Sequence, residues 1–250
     1  KTRSGGLVDE PPHAAAAALW FPMPDPAPMA GLARGHYGAI LADPPWGFQC
    51  WDGMDKKVAS RGNVTPYQTM SMDEIRALPV AELAADDCTL FMWVVWPTLP
   101  EAISIIEAWG FKYKTCAFCW LKGDPYRLFA LEEDVYMGLG YWTRANSEVC
   151  LLATRGKPKR LSAGVRQGIL APRREHSRKP DCVHERIERL VAGPYLELFA
   201  RQRRPGWDSW GNEVGKFSDY DGQKDFAGSV AEGFTAIRER VAAGGPGWLE

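Results

Sequence analysis

The apolar run Tyr37-Gly38-Ala39-Ile40-Leu41-Ala42 stops at Asp43-Pro44-Pro45-Trp46. Two consecutive prolines lack N–H donors and fix φ, so they cannot extend a β-ladder. The run is therefore expected to form a buried strand that leaves its sheet at Asp43. In open parallel sheets, ligands bind at the carboxyl ends of the strands. There the Asp43 carboxylate, the nearby carbonyls and Trp46 would form a small, rigid, oxygen-rich pocket with a flat wall. Such a pocket suits a planar base that carries an exocyclic amine. The plainer reading is a strand-ending turn, because Asp-Pro is common turn chemistry.

The 250 residues allow one large α/β domain or two small ones. Residues 1–35 are rich in Pro, Ala and Gly and read as an arm. After Tyr37–Ala42 comes a long polar loop to about Gln68, of the kind that forms lids beside sites. Ser71 with Glu74 marks the start of a short helix reaching about Leu78. Cys88–Trp96 reads as a buried strand, Leu99–Trp109 as a helix ended by Gly110, and Phe111–Leu121 as a strand. Residues 122–146 read as a substrate-side loop and Ser147–Thr154 as a strand. Gly156–Lys179 is basic and irregular, Pro180–Val191 an amphipathic helix, and Tyr195–Ala200 a strand. This order predicts an α/β fold: one mostly parallel sheet flanked by helices, over residues 36–217. Residues 218–250 would be a tail with a helix at Val230–Ala243.

No apolar run reaches transmembrane length, so no membrane partner is expected. The Ala14–Ala18 run lacks the basic and apolar regions of a signal peptide. The six cysteines are scattered, and several lie in apolar runs. Cys116-x-x-Cys119 has no second pair at zinc spacing, and strand alternation would send its thiols to opposite faces, so no metal is expected. A reducing, cytoplasmic setting fits. Gly-x-Ser-x-Gly, P-loop and HExxH patterns are missing, which leaves hydrolase and ATPase readings unsupported.

Two later stretches carry chemistry. A strand, Tyr195–Arg201, runs into the polar loop Pro205–Glu213, where Asn212 and Glu213 can bond ribose hydroxyls. Arg201 can meet a carboxylate bidentately. The plainer alternative is a surface loop whose tryptophans pack on the core. Formal net charge is −1, yet Arg155–Arg204 holds fourteen Lys and Arg against five acids. This basic third suits a phosphate-facing side, and binding there should weaken as salt rises. A solvated charged face is the alternative.

The chain resembles the METTL-type adenine N6-methyltransferases, the family of the eukaryotic mRNA adenosine methyltransferase and its bacterial and phage relatives. The matching pieces are Ala42–Trp46, Tyr67-x-x-Met70, Leu90–Trp93, Gly138–Trp142, Ser147-Glu148, His176–Pro180, and Glu197–Glu213. They occur in family order over residues 37–215. The strand at Glu197–Arg201 lacks the Gly-rich turn usual in the family. The resemblance implies a Rossmann-like methyltransferase fold with a permuted, β-class motif order. It implies S-adenosylmethionine as cofactor, with S-adenosylhomocysteine as product.

The implied catalytic residues are Asp43, Pro44, Pro45 and Trp46. Asp43 and the Pro44 carbonyl would hold the amine while Trp46 stacks on the base. Ala42, Asp43, Ser177, Lys179, Phe199, Arg201, Asn212 and Glu213 would bind the cofactor. Nucleic acid would meet Tyr67, Lys157, Lys159, Arg160, Arg173, Arg174, His176 and Arg178. Residues 47–68 and 173–179 are the lid candidates. DNA is the expected substrate, because the compact chain is similar to the bacterial and phage members. RNA is the alternative, as is a non-catalytic nucleic-acid-binding partner or an enzyme for a small planar amine or protein amide. Either a monomer or a homodimer is compatible.

Overall fold

The computed structural model describes residues 29, 31–47, 69–123, 135–138, 142–175 and 178–217. Among these residues seven strands build one sheet: β1 (Tyr37–Ala42), β2 (Ala84–Val94), β3 (Lys112–Lys122), β4 (Ser147–Arg155), β5 (Gly168–Ala171), β6 (Tyr195–Leu198) and β7 (Trp207–Trp210). Their spatial order is β5-β3-β4-β2-β1-β6-β7. β4 pairs antiparallel with β2 and β3, while every other pair is parallel, so six strands share one direction. The carboxyl ends of β1, β2 and β6 therefore share one edge of the sheet with the first residues of β4.

Helices cover both faces. On one side lie α1 (Met72–Arg76), α2 (Val80–Leu83) and α3 (Leu99–Ala108), which press Ile75, Leu83, Ile105 and Ile106 onto Ile40, Leu90 and Met92. On the other, α4 (Cys182–Leu190) packs Val183 and Ile187 against Leu41, Phe91 and Trp93. The alternation of Ile40 and Leu41 between the two cores is the period of 2 that a strand buried on both faces requires. α1 starts where sequence places it. Ser71 Oγ accepts from the Glu74 N–H, and Glu74 answers by accepting from the Ser71 N–H. Gly110, at φ 79°, closes α3.

Three elements are absent from the sequence-based expectation. α2 fills what reads as a linker, and β5 and β7 are four-residue strands at the two edges of the sheet. β7 falls in the stretch that reads as a polar loop. Trp207 and Trp210 lie three residues apart, so a strand sends them to opposite cores, where both are buried. Its solvent-facing Asp208 accepts a 2.6 Å bond from the Tyr37 hydroxyl. Burial and that bond push the Tyr37 hydroxyl up to about 12. β2 also begins four residues earlier than expected, at Ala84.

The cysteine expectation is corrected. β3 slips register between Cys116 and Phe118, so Cys116 faces Leu151 and Cys119 faces Val149. Leu151 and Val149 share a face of β4, and both thiols pack against the same core. The bulge absorbs the odd residue and cancels the alternation.

Gly211 follows β7 and lies against the chain leaving β6. A Cβ there would stand 2.5 Å from the Ala200 carbonyl oxygen and 2.7 Å from its nitrogen. The partner is backbone and cannot turn aside. Gly211→Ala is expected to cost about 1–3 kcal/mol, read as a lower urea midpoint with an unchanged slope.

Candidate active site

β1 and β6 are neighbours in register, with Ala42 opposite Leu198. Asp43 and Phe199, the residues that follow them, thus emerge side by side. Phe199 has φ 62°, the left-handed region that non-glycine residues rarely occupy. Its ring packs edge-on against Trp210 at 5.5 Å, which holds the turn in place. The turn sends Arg201 back toward Asp43, with Nη2 3.4 Å from Oδ2. Lys179, just ahead of α4, donates to the same oxygen at 2.9 Å.

Lys179 also meets Glu148, at the start of β4, at 3.2 Å. The other Glu148 oxygen accepts from Lys122, at the end of β3, at 2.5 Å. Two carboxylates and three cations thus form one row across the carboxyl edge. Burial would raise the Glu148 carboxyl, but the Lys179 and Lys122 ammoniums outweigh it and hold it down to about 2. Burial likewise works against the Lys179 charge, yet Asp43 and Glu148 keep it above the ordinary lysine range.

Asp43-Pro44-Pro45-Trp46 is pinned along its length. The Pro44 carbonyl accepts the Trp46 N–H at 2.8 Å, and the Pro45 carbonyl accepts that of Met70 at 3.0 Å. The Trp46 indole donates to the Trp93 carbonyl at 2.9 Å, and only 4% of Trp46 is accessible. In this structure the Trp46 ring is a wedge in the core rather than an open stacking face.

A cleft of about 550 Å³, including its open mouth, lies beside this row, lined by Asp43, Trp93, Lys179, Glu197, Phe199 and Arg201 among others. Trp93 Nε1, Arg178 Nε and His184 Nδ1, all on residues lining it, are buried without a hydrogen-bond partner among the described residues. Buried polar atoms are normally satisfied, so three such atoms on residues around one cleft set this region apart from the rest of the described core. Asp181 anchors one wall by accepting from Arg174, Arg178 and Arg204 at 2.5, 3.5 and 3.3 Å.

The sequence pattern of the MT-A70 family matches residues 37–213, the span that carries this row of charges and almost all of the cleft wall. The chain belongs to the MT-A70 family. It is 34% identical to the type II methyltransferase M.MunI of Mycoplasma sp. over 198 residues, covering 73% of this chain and 80% of that protein. It is 32% identical over 184 residues to the N(6)-adenosine-methyltransferase MT-A70-like protein of Arabidopsis thaliana, with 72% and 24% covered. The human N(6)-adenosine-methyltransferase catalytic subunit METTL3 is 29% identical over 185 residues, with 72% and 28% covered. The chain therefore spans most of the first relative and about a quarter of the other two.

Of the residues singled out from the sequence, this MT-A70 chain brings Ala42, Asp43, Lys179, Phe199 and Arg201 together, although Lys179 and Arg201 lie 136 and 158 positions from Asp43. Asn212 and Glu213 follow β7 at the same edge. Asn212 is exposed and Glu213 pairs with Lys216 at 2.6 Å. Their loop returns to the site through the Phe217 N–H, which donates to the Arg201 carbonyl. Tyr67, His176 and Ser177 lie outside the described residues, as do positions 48–68 of the expected lid and the expected tail helix.

The basic third is divided. Arg173, Arg174 and Arg178 stand at the catalytic edge. Lys157, Lys159 and Arg160 follow the far end of β4, where the Lys157 N–H donates to Asp87 at 2.6 Å and Arg160 bridges Val191. These three therefore occupy the opposite edge from Asp43. The antiparallel direction of β4 causes the split, so the basic residues of this stretch lie at both edges of the sheet rather than at one.

Glu148, Lys122, Trp93, and the pair of His184 Nε2 and Glu197 Oε2 at 2.9 Å carry no site role in the sequence reading. Ser147-Glu148 appears there only as a matching piece. Glu148 and Lys122 meet across paired strands, and no local pattern marks such a contact.

The Glu148 carboxyl lies below its unfolded value of about 4.5, so its stabilising contribution is complete above that value. It is lost as pH falls toward 2. Wild-type unfolding free energy should therefore decline over this window more steeply than that of Glu148→Gln. Denaturant titrations at pH 6, 4 and 3 measure the difference, and parallel pH profiles would contradict it.

Proposed function

We propose that this protein transfers a methyl group from S-adenosylmethionine to the exocyclic N6 amine of adenine in DNA, with the target base flipped out of the duplex. The observation that carries the reading is the Asp43 carboxylate, fixed at the carboxyl end of β1 by a lysine and an arginine from the last third of the domain. MT-A70 membership supports the chemistry. The early Asp43 strand and the late Phe199–Glu213 segment support a Rossmann-like methyltransferase fold with permuted motif order, contained in residues 36–217.

The cleft fits the cofactor in kind. Arg178 and Arg201 offer donors for an α-carboxylate, Glu197 and Asp43 accept from an ammonium, and Phe199 gives an apolar contact. Asn212 and Glu213 stand where β7 ends and can take ribose hydroxyls. When bound, the cofactor supplies an electrophilic methyl group on a sulfonium.

The protein's own contribution is positioning and charge. The adenine amine is a poor nucleophile, because its lone pair is delocalised into the ring. Asp43 accepts one amine N–H, and the Pro44 carbonyl, with one lone pair used by Trp46, accepts the other through its second. Both bonds favour a tetrahedral nitrogen whose lone pair points at the methyl group. Lys179 and Arg201 fix the carboxylate in place, which supplies orientation before the reaction starts. The chain carries Asp-Pro-Pro-Trp intact, which favours an enzyme over a non-catalytic partner. DNA is favoured over RNA because the match extends over most of the type II methyltransferase and only a quarter of the N(6)-adenosine enzymes.

The test is a competition. Duplex DNA, single-stranded DNA and RNA in equal mass are incubated with tritiated S-adenosylmethionine and separated before counting. Label should concentrate in DNA. Label confined to RNA would move the substrate, and label in none of the three would end the reading.

A further inference from the structure

The catalytic edge carries aromatic surface that the methyl-transfer site does not use. Six large apolar side chains are exposed among the described residues, and four of them, Trp96, Tyr136, Met137 and Trp142, stand at this edge. Tyr113 and Leu161 stand at the opposite one. Trp96 follows the end of β2, the strand beside β1. Half of its surface is open, yet its indole N–H is held by Ser147 Oγ at 3.3 Å. Tyr136 is joined to the end of β3 by its N–H, which donates to the Lys122 carbonyl at 2.8 Å. The residue is 41% exposed, and the Arg173 guanidinium lies 3.4 Å from the ring centre.

Adjacent strands are about 4.8 Å apart, so across the sheet Trp96 is offset from Asp43 by roughly one strand and Tyr136 by roughly three. Exposed aromatic rings present flat faces on which a base of any sequence can stack. Rings held by a side-chain bond or a stacked guanidinium are already ordered, so little conformational entropy is lost when a flat partner arrives. Arginine is planar and cationic, and can stack on a base while meeting a phosphate.

We infer that Trp96 and the Tyr136–Arg173 pair form a stacking platform for the nucleotides that flank the target adenine. The inference rests on the DNA-methylation reading and deepens it. A base that leaves a duplex strands its neighbours, and the platform takes up the lost stacking. The occupant is a nucleic-acid strand rather than a second protein surface, because the second ring carries the exposed Arg173 guanidinium, whose positive charge complements a phosphate beside the stacked base. Trp46, buried in the core, cannot serve this role in the present arrangement.

The test compares wild type with Trp96→Ala, Trp96→Phe, Trp96→Leu and Tyr136→Leu in methylation of plasmid DNA. Trp96→Ala and Trp96→Leu should raise the KM for DNA about tenfold or more, with the affinity for S-adenosylhomocysteine unchanged. Trp96→Phe, which restores a ring, should recover most of the loss. Tyr136→Leu should act in the same direction. If wild type methylates DNA but all four variants keep its KM, the platform is wrong and the methylation reading survives. If wild type labels no nucleic acid, the underlying reading has failed first. A shift in solution mass of Trp96→Ala, with KM for DNA unmoved, would make the surface an interface between copies of the chain and overturn the inference.

Discussion

Asp43→Asn should lower the rate of methyl transfer by at least about a thousandfold, with binding of S-adenosylhomocysteine largely kept. The substitution retains shape and volume. Asp43 Oδ2 accepts from Lys179 and Arg201, so an asparagine will turn its carbonyl oxygen to those two cations. Its NH2 group must then face the substrate amine. A donor meets a donor where an acceptor is required, and the negative charge that favours a developing positive nitrogen is gone. Single-turnover kinetics at saturating cofactor, with calorimetric titration of S-adenosylhomocysteine, separates the two effects. A wild-type-like rate would remove Asp43 from the mechanism.

The second large effect is on stability. Lys179→Met leaves Asp43 and Glu148, 18% and 16% exposed at their side chains, without their shared cation. Removing one partner of a buried pair typically costs about 3–5 kcal/mol, because the remaining charge is stranded. Each carboxylate here keeps one other cation, so this variant should fall toward the lower end of that range. Lys122 still reaches Glu148 and Arg201 still reaches Asp43, so the fold should persist with a lower midpoint. Adding Glu148→Gln to Lys179→Met should recover part of the loss, giving a coupling energy above about 1 kcal/mol in a double-mutant cycle. Additive effects would mean that the lysine does not bridge the two acids.

Much of this architecture is legible in the amino-acid sequence. Pro44 and Pro45 fix where β1 stops, because neither can donate to a ladder, and β1 spans Tyr37–Ala42 as expected. Gly110, Ser71 and Glu74 mark helix ends through local hydrogen bonds that involve only near neighbours. The short edge strands were not legible. Gly168–Ala171 and Trp207–Trp210 hold four residues each, too few to show a period, and pairing with β3 and β6 decides them. The two-part site was legible as parts, with Asp43 early and Lys179 and Arg201 late. Glu148 and Lys122 were not, since their meeting depends on β4 running against its neighbours. The same reversal carries Lys157 and Lys159 away from the basic residues ahead of α4, a separation that a charge count along the chain cannot register.

The central claim is that Asp43 holds an adenine amine for methylation. The most direct test is to incubate the wild-type protein with duplex DNA and S-adenosylmethionine deuterated at the methyl group. The DNA is then digested to nucleosides and analysed by mass spectrometry. The account predicts a single labelled product, N6-methyladenine, formed by wild type and missing with Asp43→Asn. Label on cytosine, or on no nucleoside at all, would contradict it.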